Sequence, residues 1–190
     1  MPERDRLLHL LLERSLRLGE FTLASGARSS YYIDCRTTTT HAEGQYLCGR
    51  LGWRALREAG LQPAAVGGLT MGADPLAYAL AHASWREGGP PIHAFSVRKQ
   101  PKSHGTGKRI EGCFRPGDRV VVIEDVITSG GSALQACEAV AAEGGEVLAV
   151  LALVDREAGG RAALEQAGHR VLPLFPVSEL LRAAGAQAAG

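Results

Sequence analysis

The chain has 190 residues, of which 45% are hydrophobic and 22% charged, a composition typical of one globular domain with a full core. Its formal net charge of +1 gives no support for nucleic acid or a membrane surface as a partner. No apolar stretch reaches the length of a membrane span, and charges interrupt the leucine-rich N-terminus, unlike a signal peptide. We therefore expect a single domain over residues 1–190 in the cytoplasm.

The four cysteines support the same compartment. Cys35, Cys48, Cys113 and Cys137 lie far apart, without a C-x-x-C pair. This spacing fits neither a zinc site nor a disulfide framework, so we expect free thiols in a reducing environment.

The first forty residues are predicted to form a helix and a small hood. Leucines recur among charged residues over 4–18, which predicts an amphipathic helix that ends at Gly19. Short β-type runs flank a Ser-Gly turn over 21–36, which predicts a hairpin or hood. Tyr31 and Tyr32 in this segment either pack as strand residues or face a planar base, since aromatic faces serve both uses.

The next segment contains a strand, a glycine turn and a helix. An amphipathic helix over 41–60 precedes an apolar strand over 64–69. The turn over 70–75 then opens a helix over 76–86, and its backbone amides are suited to a diphosphate. Asp74 followed by proline is typical of a helix cap, and we favour that role for Asp74.

A basic segment follows the next predicted strand, which covers 92–97. Five of the twelve residues over 98–109 are Lys or Arg, and none is a large apolar residue. Because such a segment cannot bury itself, we expect a mobile surface loop over 98–111. It is either a solvated loop without a task or a cover that neutralises a phosphate-bearing substrate and excludes water.

The most informative stretch reads RVVVIEDVITSGGSAL. Its β-branched run 120–123 predicts a strand buried on both faces, and the carboxylates Glu124 and Asp125 follow. A turn rich in hydroxyls and glycine, 128–132, then leads into a helix, whose first amides can bind phosphate while the acids accept sugar hydroxyls. We therefore predict a ribose 5-phosphate site. The alternative is an ordinary turn with a capping Ser or Thr, which leaves two acids at a buried strand end unexplained.

The remaining chain continues the alternation of strands and helices. An apolar strand over 146–154 brings Arg156 to a strand end, where α/β folds bind ligands; a surface ion pair is the alternative for Arg156. A helix over 159–168, a strand over 170–175 and a helix over 177–184 follow. This order predicts an α/β fold, with a mostly parallel sheet covered by helices on both faces and a small N-terminal hood.

The run VVVIEDVITSGGS resembles the phosphoribosyl pyrophosphate (PRPP) motif of the type I phosphoribosyltransferases. The resemblance implies the fold of that family and a PRPP site on the acids and the turn after them. The implied PRPP-binding residues of this stretch are Glu124, Asp125, Val126, Ile127, Thr128, Ser129, Gly130, Gly131 and Ser132.

Three further segments resemble the orotate phosphoribosyltransferases. They read F-T-L-x-S-G-x-x-S-x-Y-Y, G-L-T-x-G-A-D-P and R-K-x-x-K-x-H-G-x-G. In the first segment some members carry a lysine that reaches PRPP, where this chain has Ala24. The resemblance implies a pentosyltransferase that moves ribose 5-phosphate from PRPP to orotate, giving orotidine 5'-monophosphate and pyrophosphate in pyrimidine (UMP) biosynthesis.

The same resemblance implies roles for individual residues. It assigns orotate binding to Thr128, Arg156 and Tyr32, and catalysis to Asp125, Lys102 and His104. The implied diphosphate-binding residues of the basic segment are Arg98, Lys99, Lys102 and His104. Mg²⁺ is expected on the diphosphate without a direct protein ligand, because it prefers phosphate oxygens and water. The resemblance also implies a homodimer in which loop 98–109 acts on the neighbouring subunit.

Two alternatives stay open. A purine phosphoribosyltransferase would share the PRPP motif but should lack the F-T-L-x-S-G and R-K-x-x-K-x-H segments. A PRPP-sensing regulator without catalysis would need a nucleic-acid-binding surface, which the net charge does not support.

Overall fold

The computed structural model describes residues 1–22, 26, 28–100 and 109–188. In chain order the elements are α1 Glu3–Leu10, a π-helical turn Leu11–Ser15, β1 Leu16–Thr22, β2 Arg28–Ile33, α2 Arg36–Thr39, α3 Ala42–Glu58, β3 Ala65–Leu69, α4 Ala73–Arg86, β4 His93–Val97, β5 Ile110–Gly112, β6 Arg119–Ile127, α5 Gly131–Ala142, β7 Glu146–Asp155, α6 Gly160–Gln166, β8 Val171–Pro176 and α7 Val177–Ala188. None of the helices in these described ranges is both long and apolar enough to cross a membrane.

The strands of the described chain form one large sheet and one hairpin. The large sheet has the order β5-β4-β3-β6-β7-β8, and all its neighbours are parallel except β4 and β5. In its centre Val122 of β6 lies beside Gly67 of β3 and Val150 of β7. β1 and β2 form the separate antiparallel hairpin. The predicted mostly parallel sheet and the N-terminal hood are therefore both confirmed.

The central strand β6 is buried on both faces, as its run of valines predicted. Val121 and Ile123 belong to a core that α1, α3, α4 and α7 cover, whereas Val120 and Val122 belong to the core under α5 and α6. All four side chains are fully buried. Helices on both faces of a parallel sheet explain why this strand reads as a continuous apolar run instead of alternating.

The predicted helix over 4–18 is wrong in its second half. The α-helix ends at Leu10, and after a π-helical turn the chain already pairs as a strand from Leu16, which lies opposite Ile33. The buried Ser15 hydroxyl lies 2.7 Å from that of Thr38, and this contact fixes the point of change. Leucine spacing alone favoured a longer helix, because the competing strand partner lies far along the chain.

Asp74 does not cap a helix. The helix α4 begins before it, at Ala73, and no side chain caps this end. Asp74 instead accepts a 2.7 Å hydrogen bond from the Ser96 hydroxyl on β4, which also lies 3.0 Å from the Tyr78 hydroxyl. The hydroxyl on the neighbouring strand therefore draws the carboxylate away from its own backbone, and α4 is tied to β4.

The predicted loop over 98–111 is too long at its C-terminal end. Ile110 and Glu111 belong to β5, which pairs with β4. The Arg98 amide donates to the Arg109 carbonyl at 2.9 Å and closes the hairpin. Residues 101–108, on which the prediction of mobility mainly falls, lie outside the described residues.

Candidate active site

A cleft opens where the connections of the sheet diverge. β3 and β6 are parallel neighbours, but β3 continues through α4 to β4 on one side while β6 continues through α5 to β7 on the other. Ligands of open α/β sheets bind in such a crevice, at the carboxyl ends of the strands. The cleft here has a volume of about 590 Å³. The lining residues are Tyr32, Ile33, Asp34, Cys35, Arg36, Leu69, Thr70, Met71, Gly72, Lys99, Glu124, Asp125, Val126, Thr128, Ser132 and Arg156.

The two predicted acids stand at the floor of this cleft. Glu124 is almost completely buried, and Asp125 accepts a 3.0 Å hydrogen bond from the Val126 amide. Burial, followed by the charge and hydrogen bond of Asp125, raises the pKa of Glu124 to about 8. At neutral pH the pair therefore holds a proton, and Glu124 can donate as well as accept a hydrogen bond.

The turn between β3 and α4 approaches Asp125 closely. A Cβ atom placed on Gly72 would lie 2.5 Å from Oδ1 of Asp125, so only glycine leaves this carboxylate undisturbed. The Thr70–Met71 peptide bond in the same turn is cis. The predicted diphosphate turn and the acids thus face the same space.

The turn after β6 has the geometry of an anion site. Gly130 has φ = 82°, a left-handed conformation that glycine adopts without steric cost, and α5 begins directly after it. Thr128, Ser129 and Ser132 are exposed, so their hydroxyls are available to an anion at the start of α5, where the Gly131 amide donates to the Ser129 hydroxyl at 3.5 Å. Ile127 is buried in the core instead. Its side chain does not line the cleft, so the predicted contact of Ile127 with PRPP would be made by its backbone.

Gly160 supports this turn from behind. Its amide donates to the Thr128 carbonyl at 3.0 Å. A Cβ atom on Gly160 would lie 2.5 Å from that carbonyl oxygen and 2.7 Å from the Gly130 amide nitrogen. The fixed end of α6 therefore sets the shape of the turn.

Arg156 reaches the cleft from the end of β7 and contacts the hood. Its Nε donates to the Tyr31 hydroxyl at 3.3 Å, and Nη2 donates to the Ser29 hydroxyl at 3.1 Å. Its guanidinium carbon also lies 4.9 Å from the Tyr31 ring centroid. Among the described residues the hydrogen-bond partners of its guanidinium are hydroxyls rather than a carboxylate, which disfavours the surface ion pair considered from the sequence.

The two tyrosines of the hood have different surroundings. Tyr31 packs partly against the core and holds Arg156, whereas Tyr32 is exposed and lines the cleft. The Tyr32 ring lies 5.7 Å from that of Phe21. Of the two, the ring of Tyr32 is free to face a ligand.

The four predicted diphosphate-binding residues of the basic segment have different locations. Lys99 lines the cleft. Arg98 pairs with Glu111 at 3.1 Å, next to the hairpin base, and is not among the lining residues. The two predicted catalytic residues Lys102 and His104 lie outside the described residues, as does Ala24.

The structure adds two charged lining residues that the sequence did not suggest. Asp34 and Arg36 follow β2 and form a bidentate ion pair with distances of 2.8 and 2.7 Å. Their signal was a pair of opposite charges two residues apart, directly after a β-type run. Without the knowledge that β2 ends at the cleft, this pattern reads as an ordinary surface pair.

The described side chains of the cleft offer few ligands for a metal ion. No group of three or more His, Cys, Asp or Glu side chains in the described ranges is arranged to hold a metal ion. Glu124 and Asp125 alone give two adjacent carboxylates. Such a donor set fits a cation that arrives mainly coordinated by a ligand's own oxygens.

Comparison with known proteins identifies the family. No family model matches the chain. The curated orotate phosphoribosyltransferase of Aquifex aeolicus is 47% identical over 184 residues, which cover 95% of this chain and 99% of that protein. A crystal structure of the Mycobacterium tuberculosis orotate phosphoribosyltransferase with PRPP is 40% identical, with a TM-score of 0.79 over 94% of this chain and 99% of that one.

A solved structure with much lower sequence identity also resembles this fold. The adenine phosphoribosyltransferase of Thermoanaerobacter pseudethanolicus has a TM-score of 0.60 at 16% identity, over 84% of this chain and 95% of that one. It shares the type I phosphoribosyltransferase fold. Because close relatives match over nearly their whole length, this chain belongs to the orotate phosphoribosyltransferase family.

Proposed function

We propose that the protein transfers ribose 5-phosphate from PRPP to orotate, giving orotidine 5'-monophosphate and pyrophosphate for pyrimidine biosynthesis. One observation carries this proposal. The acids at the end of β6, the turn before α5 and Arg156 meet at one cleft. They offer acceptors for a ribose, donors for a phosphate and a planar cation for a carboxylate within the same space.

The substrates are placed by matching charge and hydrogen bonding. The 5-phosphate would bind the amides and hydroxyls over 128–132, at the positive end of the α5 dipole. The ribose hydroxyls would bind Glu124 and Asp125. The orotate carboxylate would bind Arg156, because a guanidinium matches a planar carboxylate in a bidentate way.

The diphosphate would lie against the turn over 70–72 and Lys99. The bond between ribose C1 and the diphosphate oxygen breaks, and its electron pair leaves on the diphosphate. A ring nitrogen of orotate supplies the electron pair of the new bond and loses its proton to solvent water. Positive charge on the ribose is then stabilised by Asp125, and negative charge on the leaving group by the basic segment.

Four residues of the basic segment complete this arrangement in the proposal. Arg98, Lys99, Lys102 and His104 would neutralise the diphosphate, with Lys102 or His104 donating a proton to it. Mg²⁺ carried by the diphosphate would lower its charge further, held by phosphate oxygens and water. No nucleophile of the protein is needed.

A homodimer is part of the proposal, with the basic segment of each subunit serving its neighbour. Several large apolar side chains are exposed on α3, α4 and the turn before α4, which suits a second copy of the chain; they are Tyr46, Met71, Tyr78 and Trp85. Mixing Lys102→Ala with Asp125→Ala protein tests it. Recovered activity is expected if active sites are shared, whereas an inactive mixture of folded proteins argues against sharing.

The central test is pyrophosphate release from PRPP and Mg²⁺ with orotate, adenine or hypoxanthine as acceptor. We expect pyrophosphate release when orotate is the acceptor and none when adenine or hypoxanthine is. Release with a purine would favour the purine-type alternative. Binding of PRPP without release by any acceptor would favour the regulator.

The cytoplasm is the compartment that suits this role. Cys35, Cys48, Cys113 and Cys137 are all free thiols in the described chain. Burial raises the pKa of Cys48 and Cys137 to about 12, so these two are unreactive thiols. A disulfide trap assay on the protein isolated from cells is expected to find the buried cysteines reduced.

A further inference from the structure

Arg36 is a cation of the cleft that has no role in the substrate-binding mode proposed above. It lies in the first turn after the hood, at the start of α2, and lines the same cleft as Asp125 and Arg156. Its side chain is 52% exposed, whereas that of its partner Asp34 is 23% exposed. The guanidinium is therefore the more exposed member of the pair.

The ion pair fixes Arg36 by one edge. Asp34 accepts from Nε at 2.8 Å, from Nη2 at 2.7 Å and from the Arg36 backbone amide at 3.0 Å. No hydrogen bond from Nη1 to a described residue is found. The side chain is thus ordered before a ligand arrives, and both N–H groups of Nη1 are left to donate to it.

The position of Arg36 selects one part of the substrate. Asp125 is the other carboxylate that acts on its guanidinium. Asp125 itself lies against Gly72, in the turn before α4. Through Asp125, Arg36 is thus associated with the turn that binds the diphosphate in the proposed binding mode.

We propose that Arg36 is a diphosphate-binding residue, whose Nη1 donates hydrogen bonds to the diphosphate of PRPP and to the released pyrophosphate. The inference rests on the proposed function for its choice of ligand. The role of Asp34 is to hold the guanidinium in place, so Asp34 is a positioning residue. Because Asp34 offsets its positive charge, Arg36 contributes mainly through the fixed geometry of its N–H groups, which suits phosphate oxygens.

The test compares Arg36→Gln with wild-type protein and with Arg119→Gln. Arg119 is a matched control, because it is also exposed and paired with a carboxylate, Glu146, but starts β6 at the opposite end of the sheet. Calorimetric titration measures the affinity for inorganic pyrophosphate with Mg²⁺ and, separately, for ribose 5-phosphate. Steady-state assays measure KM for PRPP and for orotate.

We expect Arg36→Gln to weaken pyrophosphate binding and raise the KM for PRPP by about 10- to 100-fold, the usual effect of a lost charge-assisted hydrogen bond. Affinity for ribose 5-phosphate and the KM for orotate should stay within about 2-fold of wild type, within ordinary context dependence. Arg119→Gln should change none of these values. Arg36→Lys, which keeps the charge but loses the fork, should fall between wild type and Arg36→Gln.

Two results would overturn the inference. One is unchanged pyrophosphate affinity in a folded Arg36→Gln protein, or in Arg36→Lys if the first variant does not fold. The other is an equal loss of ribose 5-phosphate affinity, which indicates a disturbed cleft rather than a lost contact. Failure of the proposed function can be told apart from failure of this inference. In that case wild-type protein would release no pyrophosphate with orotate, but the pyrophosphate affinities of wild type and Arg36→Gln would still test the role of Arg36.

Discussion

The guanidinium of Arg156 stacks on the ring of Tyr31, 4.9 Å from its centroid, and donates from Nε to the hydroxyl of the same side chain at 3.3 Å. The contact joins the hood to the end of β7. It fixes the plane of the guanidinium, while Ser29 holds Nη2. Recognition of a planar carboxylate depends on that plane. The hood is therefore part of the proposed orotate site, although none of its three contacts is an ion pair.

Tyr31→Phe should weaken orotate binding selectively. The variant keeps the ring under Arg156 but removes the hydroxyl that accepts from Nε, a hydrogen bond of about 1 kcal/mol. We expect a rise of about 5-fold in the KM for orotate, corresponding to that energy, and an unchanged KM for PRPP. Tyr31→Ala, which also removes the cation–π contact, should raise it further.

Ser30→Ala is the matched control for Tyr31→Phe, because it removes an exposed hydroxyl from the same strand, whereas Arg156 donates to Tyr31 and Ser29. Steady-state kinetics with each substrate varied in turn make the measurement. Equal rises of both KM values in Tyr31→Phe would argue that the hood as a whole had moved.

The comparison of sequence and structure shows where local patterns suffice. The strand β6, its two acids and the turn after it were predicted correctly, because burial, charge and glycine act there within fifteen residues of chain. Arg156 was predicted from its place at a strand end. Its partner Tyr31 was not, since the two lie 125 residues apart and no local pattern pairs them.

The failures have the same cause. The helix over 4–18 was extended too far because the strand partner that ends it lies near Ile33. Asp74 was given a cap role because its true donor, Ser96, lies on another element. Arg36 was overlooked because a charged pair after a strand gains meaning only when the strand is known to reach the cleft.

Stability should fall as the pH rises toward 8, through Glu124. Its pKa is raised from an ordinary value of 4.5 to about 8 in the folded protein. Between these pH values the folded state keeps a proton that the unfolded chain has lost, so rising pH favours unfolding. The contribution reaches about 1.4 kcal/mol of unfolding free energy per pH unit and stops growing above pH 8.

Glu124→Gln should remove this slope, since an amide of similar shape does not titrate. Denaturant unfolding at several pH values from 5 to 9, with Glu146→Gln as the exposed control, makes the comparison. We expect the stability difference between Glu124→Gln and wild type to increase with pH. An identical pH profile for both proteins would contradict the raised pKa.

Gly72→Ala should impair catalysis more than folding. The backbone of Gly72 has ordinary helical angles, so alanine is allowed there, but its Cβ would lie 2.5 Å from Oδ1 of Asp125. The carboxylate must turn away to relieve this contact. We expect a loss of about 10-fold or more in kcat/KM, in line with the cost of a displaced catalytic group, and a melting temperature close to wild type.

Gly89→Ala is the control for Gly72→Ala, because no atom lies within 4 Å of its added Cβ. Activity assays and thermal melts of both variants give the answer. A fully active Gly72→Ala protein would show that the position of Asp125 is not critical.

Gly160→Ala should disturb the phosphate turn from behind. Its added Cβ would lie 2.5 Å from the Thr128 carbonyl oxygen and 2.7 Å from the Gly130 amide nitrogen. Both are backbone atoms, so the clash cannot be relieved by turning a side chain. We expect the turn to shift, at a cost of about 1–3 kcal/mol in stability, as for other overpacked sites.

Binding should report the shift of the turn specifically. Calorimetric titration of Gly160→Ala with ribose 5-phosphate is expected to give a clear loss of affinity, whereas inorganic pyrophosphate should bind as in wild type. Gly185→Ala, on α7 with no atom near its added Cβ, is the control and should bind both as wild type does. If ribose 5-phosphate binds Gly160→Ala normally, the 5-phosphate does not depend on the turn between β6 and α5, and the proposed orientation of PRPP in the cleft would have to be reversed.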